Sequence, residues 1–185
     1  MSLVRIQASP PMELVVLVDE QNNVLGTRDK ADVHSAHTPL HRGFSLFLFN
    51  SKKELLLTRR AHTKKTFPGV WTNTVCGHPG PDEPAVDAVK RRLKEEMGII
   101  GIDVKEVSPY RYQFSDKNGI MENEICPIFV GFGDVTPKIN DREVAAWKWV
   151  PWKEYLHDIF INPSSYSPWS IEEAKIIDLL HILDG

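Results

Sequence analysis

Apolar residues in this chain fall mostly in short alternating or continuous blocks, the pattern of strands, while three stretches read as helices. Leu14 to Val18 is a β-rich run followed by turn residues Asp19 to Asn23. Phe44 to Phe49 and Glu54 to Arg59 flank Asn50 to Lys53 and predict a β-hairpin. Val70 to Val75, entered through Phe67-Pro68-Gly69, predicts a further strand. Tyr110 to Ser115 and Ile120 to Phe132 read as strands joined by a turn containing Asn118-Gly119, and Ala146 to Val150 as the last strand. Val86, Val89, Leu93 and Met97 recur at three-to-four spacing, so Pro84 to Met97 predicts an amphipathic helix with Gly98 as its stop. A helix from Pro151 to about His157, a Pro- and Ser-rich loop over Ile161 to Pro168, and a helix from Trp169 to about Leu183 close the chain. Strands first, with helices inserted, predict an α+β sandwich around a mixed sheet.

Composition narrows this further. At 185 residues, with 42% apolar and 25% charged residues, the chain is expected to form one soluble domain over 1–185, with 161–185 as its terminal loop and helix. Met1-Ser2-Leu3 is given no functional weight. A net charge of −3 gives no electrostatic case for nucleic acid or an anionic membrane as partner. No apolar run approaches the roughly 18 residues of a membrane span, and no basic segment followed by an apolar one opens the chain, so a cytoplasmic protein is expected. Both cysteines are then expected to be reduced thiols. Cys126, in Ile125-Cys126-Pro127-Ile128-Phe129, suits a buried inert position, whereas Cys76 has polar neighbours and suits chemistry.

In Cys76-Gly77-His78 a thiol and an imidazole share one face of an extended segment. From Gly77 the sequence resembles a Nudix box: glycine, then Glu83, then Arg91 and the ending Glu95-Glu96-Met97-Gly98-Ile99. Positions 92, 95 and 96 share a helix face, where Nudix hydrolases cluster glutamates that hold divalent metal against a diphosphate. Here position 92 is arginine, which neither binds metal nor acts as a base near neutral pH but grips a phosphate with two donors. Elsewhere, Glu122 and Glu124 alternate about Asn123, so a strand would present both carboxylates together, an arrangement that calls for a cation between them or a raised pKa. With His34, His41 and His78 they would make a site with five protein ligands, suited to Mg²⁺ or Mn²⁺ and also attractive to Zn²⁺.

These pieces, with Thr58-Arg59-Arg60, Phe67 to Asn73, Tyr110-Arg111-Tyr112 and Ser167-Pro168-Trp169, resemble in order the type I isopentenyl-diphosphate isomerases over roughly residues 14 to 170. The resemblance implies a Nudix-like α/β/α sandwich and the interconversion of isopentenyl and dimethylallyl diphosphate in isoprenoid synthesis. It implies that His34, His41, His78, Glu122 and Glu124 hold one divalent metal, and that Glu96 holds a second Mg²⁺ bridging to the diphosphate. Cys76 and Glu124 resemble the catalytic pair. Lys30, Arg60, Lys64 and Arg92 fall at diphosphate contacts, and Tyr112 and Trp169 at the hydrocarbon pocket. The partner implied is a small isoprenoid diphosphate, with the chain a monomer or weak homodimer.

Such chemistry protonates an unactivated alkene and removes a proton elsewhere, through a tertiary carbocation. Acid and base on opposite faces divide that work: Glu124, assisted by Tyr112, as acid and Cys76 as base. Trp169 would stabilise the cation by its ring face, an effect of about 2 kcal/mol when desolvated. The alternative is a Nudix pyrophosphohydrolase acting on a nucleoside diphosphate derivative, which has no use for Cys76, Tyr112 or Trp169.

Overall fold

The structure, a computed structural model, describes residues 13–184, so the first three residues singled out above lie outside it. In chain order come β1 (Leu14–Val18), β2 (Val24–Asp29), the single turn α1 (Lys30–Val33), β3 (His41–Arg42), β4 (Phe44–Phe49), β5 (Glu54–Arg60), β6 (Trp71–Thr72) and β7 (Val75–Gly77). The helix α2 (Ala85–Met97) follows, then β8 (Val104–Ser108), β9 (Arg111–Ser115), β10 (Met121–Ile125), β11 (Ile128–Phe132) and β12 (Val144–Pro151). Helices α3 (Trp152–Ile161) and α4 (Pro168–Leu179) end the described chain.

The strands form two mixed sheets, ordered β2-β1-β3-β10-β9 and β12-β5-β4-β11-β8. β4 explains the layering. Every residue of Phe44–Phe49 is buried, as expected of a strand covered on both faces. Phe44, Leu46 and Leu48 pack with Ala88, Val89, Leu93 and Met97 of α2. Phe47 and Phe49 pack with Trp152, Tyr155 and Ile159 of α3 and with Ala174 and Ile177 of α4. The second sheet is thus the middle of an α/β/α sandwich, as the sequence predicts. Gly98 ends α2 in a left-handed conformation (φ 65°), with its N–H bonded to Lys94 O, the bond of the left-handed αL cap.

Three predicted strand features are corrected. The hairpin of β4 and β5 pairs only at Phe49↔Leu55 before opening. The gap is filled by the Thr74 hydroxyl, which donates to Leu56 O at 2.7 Å and accepts from Leu48 N–H at 2.9 Å. For the same reason the strand expected over Val70–Val75 breaks at Asn73-Thr74 into β6, paired with β5, and β7, paired with β4. The long strand over Ile120–Phe132 breaks at Cys126-Pro127, where proline lacks the N–H needed to continue a ladder. There the chain crosses between sheets, β10 to β11, just as it does at Gly43 between β3 and β4. α3 also runs to Ile161, and a 3₁₀ turn, Pro163–Ser165, occupies part of the expected loop. β2 and β8, both partly exposed, have no clear apolar alternation and escape sequence reading.

Candidate active site

β3 and β10 run parallel and set His41 opposite Glu124; β9 runs antiparallel on the other side of β10 and sets Tyr112 beside Glu124. The alternation of β10 then turns Glu122 and Glu124 to one face, both buried. His34 follows α1, and His78 follows β7. One ligand atom from each of His34, His41, His78, Glu122 and Glu124 lies within 4.8 Å of all the others. His78 Nε2 is 3.0 Å from Glu124 Oε1 and 3.3 Å from His41 Nε2.

This donor set fits a divalent cation. His34 Nε2 and Glu122 Oε2 approach to 2.9 Å, yet among the described residues neither makes a hydrogen bond. Such a pair of buried unsatisfied atoms is what a ligand would satisfy. His41 Nδ1 contacts Pro39 O at 2.9 Å, so in the neutral ring that nitrogen carries the proton and Nε2 offers its lone pair. Burial drives His78 down to about 4, against the pull of Glu124, so its imidazole is neutral at pH 7. Burial opposes ionisation of Glu124, but His78 and His41 outweigh it and hold its carboxyl well below the usual range. Gly43 makes room for that carboxylate: a Cβ there would lie 1.9 Å from Glu124 Oε2.

A cavity of about 500 Å³ opens beside this cluster, and both Cys76 and Glu124 line it. Cys76 emerges from β7 opposite Ser45, its thiol donating to Asn73 Oδ1 at 3.1 Å. Burial and then the nearby Glu173 carboxyl push this thiol up to about 12, against its hydrogen bonds to Ser45 and Asn73. Lys30, Arg60, Lys64 and Arg92 supply the cationic wall of the same cavity. Arg60 donates to Thr66 O at 2.9 Å, and the Thr66 hydroxyl bonds Glu122, so the cationic wall and the histidine cluster share one brace. Arg92 meets Glu96 at 2.5 Å and Glu143 at 3.2 Å; Lys64 pairs with Glu143. Glu96, drawn from the box ending, is therefore engaged by Arg92 and stands behind it.

The aromatic side is built by α4. Ser167 N–H donates to Trp71 O at 2.8 Å, which swings the start of α4 over the cavity and brings in Trp169. Trp169 stacks on Tyr112 (5.7 Å, 20°), meets Phe67 edge-on, and carries Arg60 over its ring at 5.4 Å. Burial holds the Tyr112 phenol well above its ordinary pKa, so it is a neutral donor.

The NUDIX domain model matches residues 39–169. An isopentenyl-diphosphate Delta-isomerase of Saccharopolyspora erythraea is 45% identical over 91% of this chain and 88% of its own length. Another so named, from Mycolicibacterium vanbaalenii, is 46% identical over 90% of this chain and 92% of its own. The chain belongs to the isopentenyl-diphosphate Delta-isomerase family. A crystal structure from Deinococcus radiodurans shares the fold with this isomerase-family chain at TM-score 0.72, covering 88% of this chain and 98% of that one, at 21% identity. A MutT protein from Methanosarcina mazei does so at 0.65, over 78% and 96%, at 21% identity.

The sequence-predicted residues thus converge, with Glu96 one layer back. Sequence reasoning missed Glu13, Thr66 and Glu143, which line the cavity, and Gly43 and Ser45, which support its edge. Thr66 directly precedes the quoted Phe67 string, a signal within reach; Glu143, in a loop before β12, carries no local signal.

Proposed function

We propose that this chain interconverts isopentenyl diphosphate and dimethylallyl diphosphate by protonation and deprotonation. The supporting observation is that one cavity is lined by a thiol, by a carboxylate of the histidine–glutamate cluster, by cations and by stacked aromatic rings. Arg60, Lys64, Arg92 and Lys30 bind the diphosphate, and their binding energy holds the alkene in place. His34, His41, His78, Glu122 and Glu124 would hold Mn²⁺ or Mg²⁺, with Zn²⁺ as competitor, and Glu96 a Mg²⁺ accompanying the diphosphate. A bound cation would supply positive charge that offsets two buried carboxylates and sharpens the acidity of the group delivering the proton.

Glu124, assisted by the neutral Tyr112 phenol, places a proton on the terminal alkene carbon. Cys76, as the thiolate, takes the proton leaving the neighbouring methylene; the reverse direction exchanges the roles, with the thiol as donor and the Glu124 carboxylate as acceptor. Trp169 and Tyr112 exclude water from the cation and offer ring faces to it. Arg92 replaces the hydrolase glutamate with a phosphate donor, so the diphosphate is held without being cut, which disfavours the pyrophosphohydrolase alternative. Within this reading the chain is a single isomerase domain, monomeric or weakly dimeric, and cytoplasmic; among the described residues no helix is long and apolar enough to cross a membrane. The test is turnover of C76A and E124Q with metal content measured. Both should lose activity by several orders of magnitude, and near-normal turnover by either metal-loaded variant would overturn the assignment.

A further inference from the structure

Three of the four cations that wall the cavity hold carboxylates that line the same cavity. Glu13 Oε2 accepts from Lys30 Nζ at 2.8 Å, and its Oε1 stands 3.4 Å from Arg92 Nη1. A single oxygen of Glu143, Oε2, accepts from both Lys64 Nζ and Arg92 Nη2, the second at 3.2 Å. Arg60, the fourth cation, donates instead to the carbonyls of Thr66 and Phe67.

The backbone builds these pairs in. Lys30 N–H donates to Glu13 O at 2.8 Å, so the two residues lie side by side where β1 meets β2. Glu143 precedes β12, and its carbonyl accepts from Ala61 N–H at 3.0 Å, while Ala61 O accepts from Lys64 N–H at 3.1 Å. One residue therefore anchors both Lys64 and Glu143. Asn140 O accepts from Glu143 N–H, and Asn140 N–H donates to Glu96 O, one turn after Arg92 on α2. Burial opposes ionisation of Glu143, but Lys64 and Arg92 outweigh it and hold its carboxyl below the usual range, so it is an anion at pH 7.

An anionic oxygen set between a lysine and an arginine takes the donors that a non-bridging phosphate oxygen would take. Two anions brought to the same pair of cations also repel one another. We infer that Glu143 sets the affinity of the diphosphate subsite by competing with the diphosphate for Lys64 and Arg92, and that Glu13 competes more weakly for Lys30 and Arg92. The diphosphate displaces these carboxylates when it binds. Because both isomers carry the same diphosphate, the competition eases release of the product in either direction. The inference rests on the reading above that the cationic wall binds diphosphate. Glu143 acting only as a brace would have the opposite sign, since its loss would let Lys64 and Arg92 part and weaken binding.

The test is titration calorimetry of inorganic pyrophosphate into the metal-loaded protein at pH 7 with saturating Mg²⁺. E143Q should bind pyrophosphate about tenfold more tightly than wild type, the scale of one charge-assisted contact that no longer has to be broken. E13Q should gain only about threefold, because the Glu13 side chain is 46% exposed and water screens its pairs. In a K64M background E143Q should gain about threefold or less, since one of the two contested cations is gone. Unchanged or weaker binding in E143Q, or the full tenfold gain in the K64M background, would overturn the inference. If E143Q does not fold, the sign of the change in E13Q decides. A wild-type protein that binds no pyrophosphate would sink the reading of the cationic wall and this inference with it. Measurable binding by wild type with no gain in E143Q sinks only the inference.

Discussion

Gly43 offers the sharpest separation of fold from function. It sits where the chain passes from β3 to β4, and its N–H donates to Ile125 O at 2.9 Å. A Cβ there would lie 1.9 Å from Glu124 Oε2 and 2.7 Å from its Cδ. Real Cβ contacts essentially never fall below 3.0 Å, so the carboxylate must retreat by about 1 Å. The obstacle is the end of a flexible side chain, not backbone, and the fold should absorb it. The chemistry should not: a 1 Å misplacement of a reacting group costs on the order of 10²-fold. G43A is therefore expected to keep its melting temperature within a few degrees, to bind metal more weakly, and to lose about 10²-fold in kcat/KM. Steady-state turnover, metal analysis and thermal unfolding on one preparation check all three. Wild-type turnover with full metal occupancy in G43A would refute the claim that Glu124 needs that space.

Other outcomes follow from the same geometry. T66V removes the hydroxyl that bonds Glu122 and accepts from Arg60, and should weaken metal retention about 10- to 100-fold, measured by competition with a chelator. R92M leaves Glu13, Glu95, Glu96 and Glu143 facing one another without their shared cation, and should destabilise the protein by about 3 kcal/mol in urea titration. Because the Cys76 thiol is raised to about 12, the thiolate is scarce at neutral pH and grows about tenfold per pH unit. Iodoacetamide labelling of Cys76 in a C126A background should climb without a plateau from pH 7 to 10, and a plateau near pH 9 would contradict the buried setting. Chelation should lower the melting temperature by several degrees, restored by added Mn²⁺ or Mg²⁺, since the cluster would lose its shared countercharge.

Much of the site was legible because its chemistry depends on spacing within one element. Glu122 and Glu124 share a face by the period of a strand, and Arg92 and Glu96 meet by the pitch of a helix. The convergence of the histidines with Glu122 and Glu124 was different: it depends on β3 pairing with β10, a strand far along the chain, which only resemblance to the family supplied. Breaks in strands were read poorly because side chains decide them. Thr74 substitutes for ladder partners between Leu48 and Leu56, and no local pattern announces that. Glu143 and Glu173 were illegible for a related reason, since a glutamate in a loop or on a helix looks solvated until tertiary packing surrounds it.

Incubation with isopentenyl diphosphate in deuterated water, followed by NMR, addresses the catalytic assignment most directly. Deuterium should enter the new methyl group of dimethylallyl diphosphate with the diphosphate intact, and that labelling should vanish in C76A and E124Q. Cleavage of the diphosphate, or undiminished labelling in either variant, would contradict a thiol and a carboxylate working together across one cavity.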